Sequence, residues 1–192
     1  GVICNALFLY HPIGRFTQLR YIQLTSAGYD RVPMDYVKNH HIEIHNAKGV
    51  YSIPMAEFAV CGVLQLYKQS GFFRKNQEKH LWRKHRGLLE LYGKYVLIIG
   101  CGSVGTECAK RFRAFGCRVS GVNRSVYESE DYDEIYPVSQ LDQKLRESDI
   151  VIISVPLTED TVSLMNRKRL SHMKEGAVLV NIARGAVIES AA

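Results

Sequence analysis

The sequence predicts an α/β chain in which a doubly wound parallel sheet follows part of a smaller α/β domain. Three observations carry this. An apolar run, Val96-Leu97-Ile98-Ile99, leads straight into Gly100-Cys101-Gly102-Ser103-Val104-Gly105, and a helical pattern follows. From Tyr95 to Ile182 short apolar runs alternate with helical patterns, the order that builds βα units and a parallel sheet. The strand-like runs are apolar at consecutive positions, as strands covered on both faces must be.

The elements follow in order. Tyr21 to Thr25 is β-rich and is broken by Ser26-Ala27-Gly28; Asp35 to Asn39 predicts a short helix. His41 to His45 alternates strictly and predicts a strand with one polar face. His40, His41 and His45 read as that solvated face and not as metal ligands, because no cysteine or acid cluster completes a site. Pro54 closes this region, giving a first unit over 1–53 and a second domain over 54–192. A long helix from Met55 presents Phe58, Val60, Cys61, Leu64, Leu66 and Tyr67 as a broad apolar face. Tyr51, just ahead of it, reads equally as a pocket residue or a packing residue. Beyond Tyr67 runs a basic arm in which Trp82 is expected to anchor packing. Tyr95–Ile99 is a buried strand. The next helix shows Cys108, Ala109, Phe112 and Phe115 on one face, with Gly116 as its stop. Strands are expected at 117–122, 149–155 and 177–182, helices at 141–147 and 166–175, and a loop with one short strand at 127–137. After Val187 a new helix is expected to begin.

Composition narrows the class. At 192 residues, 46% hydrophobic and 23% charged, the chain can form one large domain or one domain and part of another. No apolar run approaches the ~20 residues that span a bilayer, and Gly1-Val2-Ile3-Cys4-Asn5 has no basic leader. The net charge of +6 resides in residues 67–94, which hold eight Lys or Arg against Glu78 and Glu90. These charges read as a solvated helix and connecting arm, with no nucleic-acid partner expected. The five cysteines are odd in number and form no C-x-x-C pair, which points to a reducing cytoplasm. Cys101, inside the glycine turn, reads as a small filler residue.

The G-x-G-x-x-G sits in the strand-turn-helix context that a Rossmann-type dinucleotide site requires. Gly100 permits the turn, Gly102 has no Cβ and lets a pyrophosphate reach the backbone, and Gly105 lets the helix pack against the strand. The helix N-terminus then offers free N–H groups to the phosphates. Counting about 20 residues on, to the position that meets the adenosine ribose, lands on Asn123-Arg124-Ser125. The acid that favours NAD is missing. Asn123 carries no charge to repel a 2′-phosphate, Arg124 offers a planar fork and Ser125 a hydroxyl, so NADP(H) is expected over NAD(H).

Five motifs, in order, resemble those of the D-isomer-specific 2-hydroxyacid dehydrogenases. Ser26 to Asp30 is similar to that family's SAGxD loop and Met55-Ala56-Glu57 to its AE helix start. Glu90 to Lys94 resembles its ELxGK lead-in, Val155 to Thr161 its VPLTxxT segment, and Val180 to Gly185 its VNxARG signature. The resemblance implies a hydride transfer between NAD(P)H and a 2-oxo acid, with Arg184 as the catalytic arginine that holds the substrate carboxylate and polarises the 2-oxo group. It implies that backbone N–H groups at Ala27 and Gly28 grip that carboxylate from the other domain. Ser103 and Val104 would contact the pyrophosphate; Val155, Pro156, Thr161, Ile182 and Ala183 would line the ribose and nicotinamide. It also implies a homodimer, and makes 1–53 a partial, flavodoxin-like substrate-binding domain and 54–192 an incomplete dinucleotide-binding domain.

The family's acid/base His and partner Glu lie downstream of the arginine motif. None of the seven histidines occupies such a position, and the chain stops at Ala192. The sequence is therefore expected to be a fragment that lacks the general acid and cannot turn over substrate alone. Two alternatives remain open: a non-catalytic dinucleotide-binding module of the corepressor type, and an inactive truncated product. The acid reduced is not legible.

Overall fold

The structure, a computed structural model, describes residues 1–191. Strands β1 (Val2–Cys4), β2 (Tyr21–Leu24) and β3 (Glu43–His45) lie side by side in parallel, with Ile22 opposite Val2 on one side and Ile44 on the other. Helices α1 (Leu7–Tyr10) and α2 (Met34–Asn39) belong to this first unit. Its core is Ile13, Ile22, Leu24, Val32, Val37 and Ile42. Strand β3 starts two residues later than its alternating pattern, because His41 sits in the left-handed region (φ 51°), which extended chain cannot use.

Helix α3 (Ser52–Tyr67) begins ahead of Pro54. The proline occupies the first turn, where no N–H is needed for the helix ladder. The expected boundary at 53/54 thus falls inside α3. Its buried residues are Ser52, Ala56, Ala59, Val60, Val63 and Tyr67. Phe58 and Leu66 are 66% and 57% exposed and Cys61 is exposed, which corrects the apolar face expected from the sequence. The helix is apolar nearly all round, so periodicity could not name its inner side. Small residues at 56 and 59 decide it, by allowing close approach to the neighbouring helix. Gln69 (φ 51°) then turns the chain into α4 (Ser70–Glu78), a separate helix within the basic arm. Trp82 beyond it is 96% exposed, so it does not anchor packing among the described residues, contrary to expectation.

The second sheet has five parallel strands: β4 (Tyr95–Ile99), β5 (Arg118–Asn123), β6 (Glu134–Pro137), β7 (Ile150–Ile153) and β8 (Val178–Asn181). Their order across the sheet is β6-β5-β4-β7-β8. Helices α5 (Ser103–Ala114), α6 (Leu141–Glu147) and α7 (Arg167–Ser171) alternate with them. The period of two along β4 and β7 feeds two cores. Val96, Ile98, Ile150 and Ile152 face α3 and α5, meeting Ala59, Val63, Cys108 and Phe112. Leu97, Ile99, Val151 and Ile153 face the other layer, with Leu141, Leu145, Met165 and Val187. This is the doubly wound sheet the sequence predicts.

Phe115 is 44% exposed, again contrary to its expected place on the buried face. It caps the end of α5, and Gly116 (φ 76°) turns the chain out of the helix there. Helix α7 is shorter than its pattern; Asn166 starts it by accepting from the Arg169 N–H at 3.0 Å. After β8, Gly185–Val187 form one 3-10 turn and Ile188 bridges to Met165. The helix expected after Val187 would run into Ala192, which lies outside the described residues. Among the described residues no helix is long and apolar enough to cross a membrane.

Candidate active site

The strand order reverses between β4 and β7, and a crevice opens at the carboxyl ends of those strands. A cavity of about 220 Å³ there is lined by Gly100, Gly102, Asn123, Arg124, Val155, Pro156 and Thr161 together with Val122, Leu141 and Ser154. The structure therefore gathers around one crevice residues that the sequence spreads over sixty positions.

The glycine turn is built as the motif demands. Gly100 has φ 97°, which L residues rarely adopt. A Cβ on Gly105 would run into the Gly100 carbonyl oxygen, so the N-terminus of α5 can seat itself on the turn only with glycine there. A Cβ on Gly102 would meet no protein atom within 4 Å, and the backbone there (φ −81°, ψ −167°) suits any residue. Gly102 is thus not required by the protein itself; it leaves open space in front of the helix. Among the described residues no side-chain hydrogen bond caps the N-terminus of α5, where Ser103 and Val104 carry first-turn N–H groups. A diphosphate fits that combination of open volume and unpaired donors.

Side chains hold the turn from behind. Ser154 Oγ donates to the Gly100 carbonyl at 2.7 Å, and Tyr127 Oη donates to the Cys101 carbonyl at 2.7 Å. Asn123 Oδ1 accepts from the Cys101 N–H at a long 3.5 Å while Asn123 Nδ2 donates to the Ser125 carbonyl at 3.0 Å. Asn123 is therefore tied to its own backbone surroundings, and Ser125 contributes its carbonyl, outside the residues that line the crevice. Arg124 is exposed at the crevice and takes no salt bridge among the described residues. The Cys101 side chain is buried beside Gly121 and Tyr132, and burial pushes its thiol up to about 11, so it is a filler and not a nucleophile at neutral pH. Beyond β7, Thr161 Oγ1 donates to the Pro156 carbonyl at 2.7 Å and accepts from the Thr158 N–H at 2.8 Å, which fixes the crevice's far wall.

Arg184 follows β8 and reaches across to the first unit. Its Nη2 lies 3.2 Å from Asp30 Oδ1, its Nε 3.4 Å from Asp30 Oδ2, and its Nη1 donates to the Ala183 carbonyl at 3.1 Å. A Cβ on Gly28 would stand 2.7 Å from Arg184 Nη2. The arginine motif and the Ser26–Asp30 loop thus meet directly. Burial works to raise the Asp30 carboxyl, but the hydrogen bond and charge of Arg184 overcome it and hold the group below its ordinary range. The pair is therefore intact at neutral pH and is lost only as pH falls through that lowered value. The loop itself is tied down: Asn46 Nδ2 donates to the Ala27 carbonyl at 2.7 Å and Tyr51 Oη to the Thr25 carbonyl at 3.1 Å. Tyr51 so braces the loop. In a trans peptide the Gly28 N–H points opposite the Ala27 carbonyl, hence away from Asn46.

Ile182 and Ala183 lie outside the crevice lining. Ile182 continues the β7–β8 ladder through its N–H to the Ile153 carbonyl (3.1 Å), and both side chains pack into the two cores. Asp30, Asn46, Tyr127 and Ser154 were not singled out from the sequence; the first belonged to the matched SAGxD loop, while the others carry no local signal. A larger hollow, about 1160 Å³, lies under the arm between Lys68 and Leu88. It holds none of the glycine-turn or arginine residues; the crevice between β4 and β7 holds Gly100 and Gly102 of the turn, while Ser103, Val104, Gly105 and Arg184 lie outside its lining.

Comparisons with known proteins agree with this geometry. The model of the D-isomer specific 2-hydroxyacid dehydrogenase NAD binding domain matches residues 60–192. A glyoxylate reductase of Thermococcus kodakarensis is 33% identical over 183 residues, covering 91% of this chain and 55% of that protein. The crystal structure of a D-isomer specific 2-hydroxyacid dehydrogenase family protein from Aeromonas salmonicida superposes with a TM-score of 0.89 at 30% identity, over 98% of this chain and 60% of that one. A D-lactate dehydrogenase from Aquifex aeolicus, solved with NAD and lactic acid, gives a TM-score of 0.82 at 29% identity, over 92% and 54%. The chain spans about half the length of the curated relatives it matches. A match over most of the chain, on a sheet whose strand order and glycine turn are those of a dinucleotide site, places this chain in the D-isomer specific 2-hydroxyacid dehydrogenase family and makes residues 60–192 its NAD-binding domain.

Proposed function

We propose that the whole protein reduces a small 2-oxo acid to the D-2-hydroxy acid, with Arg184 as the group that holds the substrate. The observation that carries this is the meeting of Arg184 with Gly28 across the cleft. A guanidinium has five N–H donors. Asp30 takes two and the Ala183 carbonyl one, which leaves two. Those two suit one carboxylate oxygen and the adjacent 2-oxo oxygen of the same acid, and the Gly28 N–H offers a further donor for the carboxylate. As charge develops on the 2-oxo oxygen, the fixed cation stabilises it. A reduced nicotinamide dinucleotide, held at the first turn of α5, supplies the hydride. Arg184 stays charged throughout and is not the proton donor; no histidine lines the crevice among the described residues. The 192 residues assayed alone are expected to bind NADPH without consuming it.

Arg124, at the crevice and free of ion pairs among the described residues, supports a preference for NADP(H). In the full-length protein Arg124→Asp is expected to shift the NADPH-to-NADH ratio of kcat/KM toward NADH by about a hundredfold, the worth of one or two charge-assisted hydrogen bonds to a 2′-phosphate. Steady-state rates with glyoxylate, pyruvate and a panel of further 2-oxo acids test the whole reading. A parent enzyme that prefers NADH removes the NADP(H) assignment, and tight dinucleotide binding without turnover of any acid moves the protein to the non-catalytic, corepressor-like class.

The assembly is read as a homodimer. Phe73, Leu81, Trp82 and Leu88 line the hollow under the arm, an apolar surface that a second copy would cover. The cysteines are free thiols, which supports a reducing, cytoplasmic location.

A further inference from the structure

We propose that Tyr127 is a positioning residue for the dinucleotide diphosphate, acting through the Cys101–Gly102 peptide. The carbonyl of Cys101 and the N–H of Gly102 belong to one rigid trans peptide, so fixing one aims the other. Tyr127 Oη fixes the carbonyl at 2.7 Å. The Gly102 N–H therefore points away from Tyr127, on a residue beside which a Cβ would meet no protein atom within 4 Å. The preceding peptide is held in the same manner. Its Gly100 carbonyl accepts from Ser154 Oγ at 2.7 Å, and its Cys101 N–H faces Asn123 Oδ1 at 3.5 Å. Two successive peptides of the turn are thus locked by side chains from outside it, and their orientation is set before any ligand arrives.

Tyr127 and Asn123 come from the same stretch, the end of β5 and the loop after it. That stretch also carries Arg124. The segment that reads the ribose end of the dinucleotide is consequently the one that holds the diphosphate turn in shape. Tyr127 is 43% exposed, and Tyr132 anchors the same segment independently, buried against Gly121 beside Cys101. Loss of the Tyr127 hydroxyl removes a hydrogen bond without opening a core.

The proposal rests on the dinucleotide occupying this crevice, and the experiment separates the two. In the full-length protein, Tyr127→Phe is compared with the parent by calorimetric or fluorescence titration of ADP-ribose, which carries the diphosphate, and of adenosine, which does not. The melting temperature of each unliganded protein is recorded alongside. The expected result is an ADP-ribose Kd raised about tenfold, as the turn must be re-aimed on binding, with the adenosine Kd unchanged and the melting temperature lowered by no more than about 4 °C, the worth of one internal hydrogen bond. A parent that fails to bind ADP-ribose overturns the site and this proposal with it. A parent that binds ADP-ribose while Tyr127→Phe binds it equally well overturns the proposal alone. An equal loss for adenosine and ADP-ribose also overturns it, since a general effect on the loop would then account for both.

Discussion

Gly102→Ala is expected to leave the unliganded protein as stable as the parent and to weaken NADPH and ADP-ribose binding by about a hundredfold or more. The two halves of this result have separate causes. A methyl at Gly102 meets no protein atom within 4 Å, and its backbone lies in ordinary extended territory. Alanine is a poorer N-cap than glycine by up to about 1 kcal/mol, but it restricts the unfolded chain by a similar amount, so the terms offset. The melting temperature should move by no more than about 4 °C. The same methyl stands where a diphosphate must approach the N–H groups of Ser103 and Val104. Displacing two charge-assisted hydrogen bonds costs about 3–6 kcal/mol, a factor of at least a hundred. Gly105→Ala provides the contrast. Its methyl lands on the Gly100 carbonyl oxygen, a backbone atom that cannot swing aside, so here stability itself should fall. Thermal melts and titrations on the same samples check both. Undiminished binding by Gly102→Ala would remove the diphosphate from this turn.

Arg184→Met in the full-length protein is expected to lower kcat/KM for the preferred 2-oxo acid by about a thousandfold, since two charge-assisted hydrogen bonds at the reacting acid are lost. The dinucleotide Kd should stay within about threefold of the parent, because Arg184 bonds to Asp30 and Ala183 and not to the glycine turn. Arg184→Lys should recover only part of the loss. Lysine keeps the charge but has no fork with which to engage Asp30 and the substrate together. Activity of Arg184→Met within tenfold of the parent would end the role assigned to this residue.

How far each of these sites was legible in the sequence follows from the range of the forces that build it. The glycine turn was legible because its demands are local. A positive φ at Gly100 and a close approach at Gly105 concern residues five positions apart, and only glycine meets them. The parallel strands were legible because the short apolar runs of β4 and β7 alternate with helical patterns and end at turn residues, Gly100 and Pro156. The inner side of α3 was not. Phe58 and Leu66 are as apolar as anything they might have packed against, and the choice between them and Ala56, Ala59 and Val63 depends on how near α5 can come. Trp82 and Phe115 failed as core residues for a related reason: a large apolar side chain reports its own preference, not whether a neighbour is present to cover it.

By itself the sequence determined the sheet and the turn, since these rest on patterns within a few residues of one another, and its resemblance to a family singled out Arg184. Only the tertiary structure decided who meets whom across the cleft and behind the turn. Arg184 and Asp30 stand 154 residues apart in the chain, and Tyr127 and Cys101 stand 26 apart. Such pairings are fixed by the packing of whole strands and helices, which brings a carboxylate to a guanidinium and a hydroxyl to a carbonyl with no repeating signal in the chain to announce it.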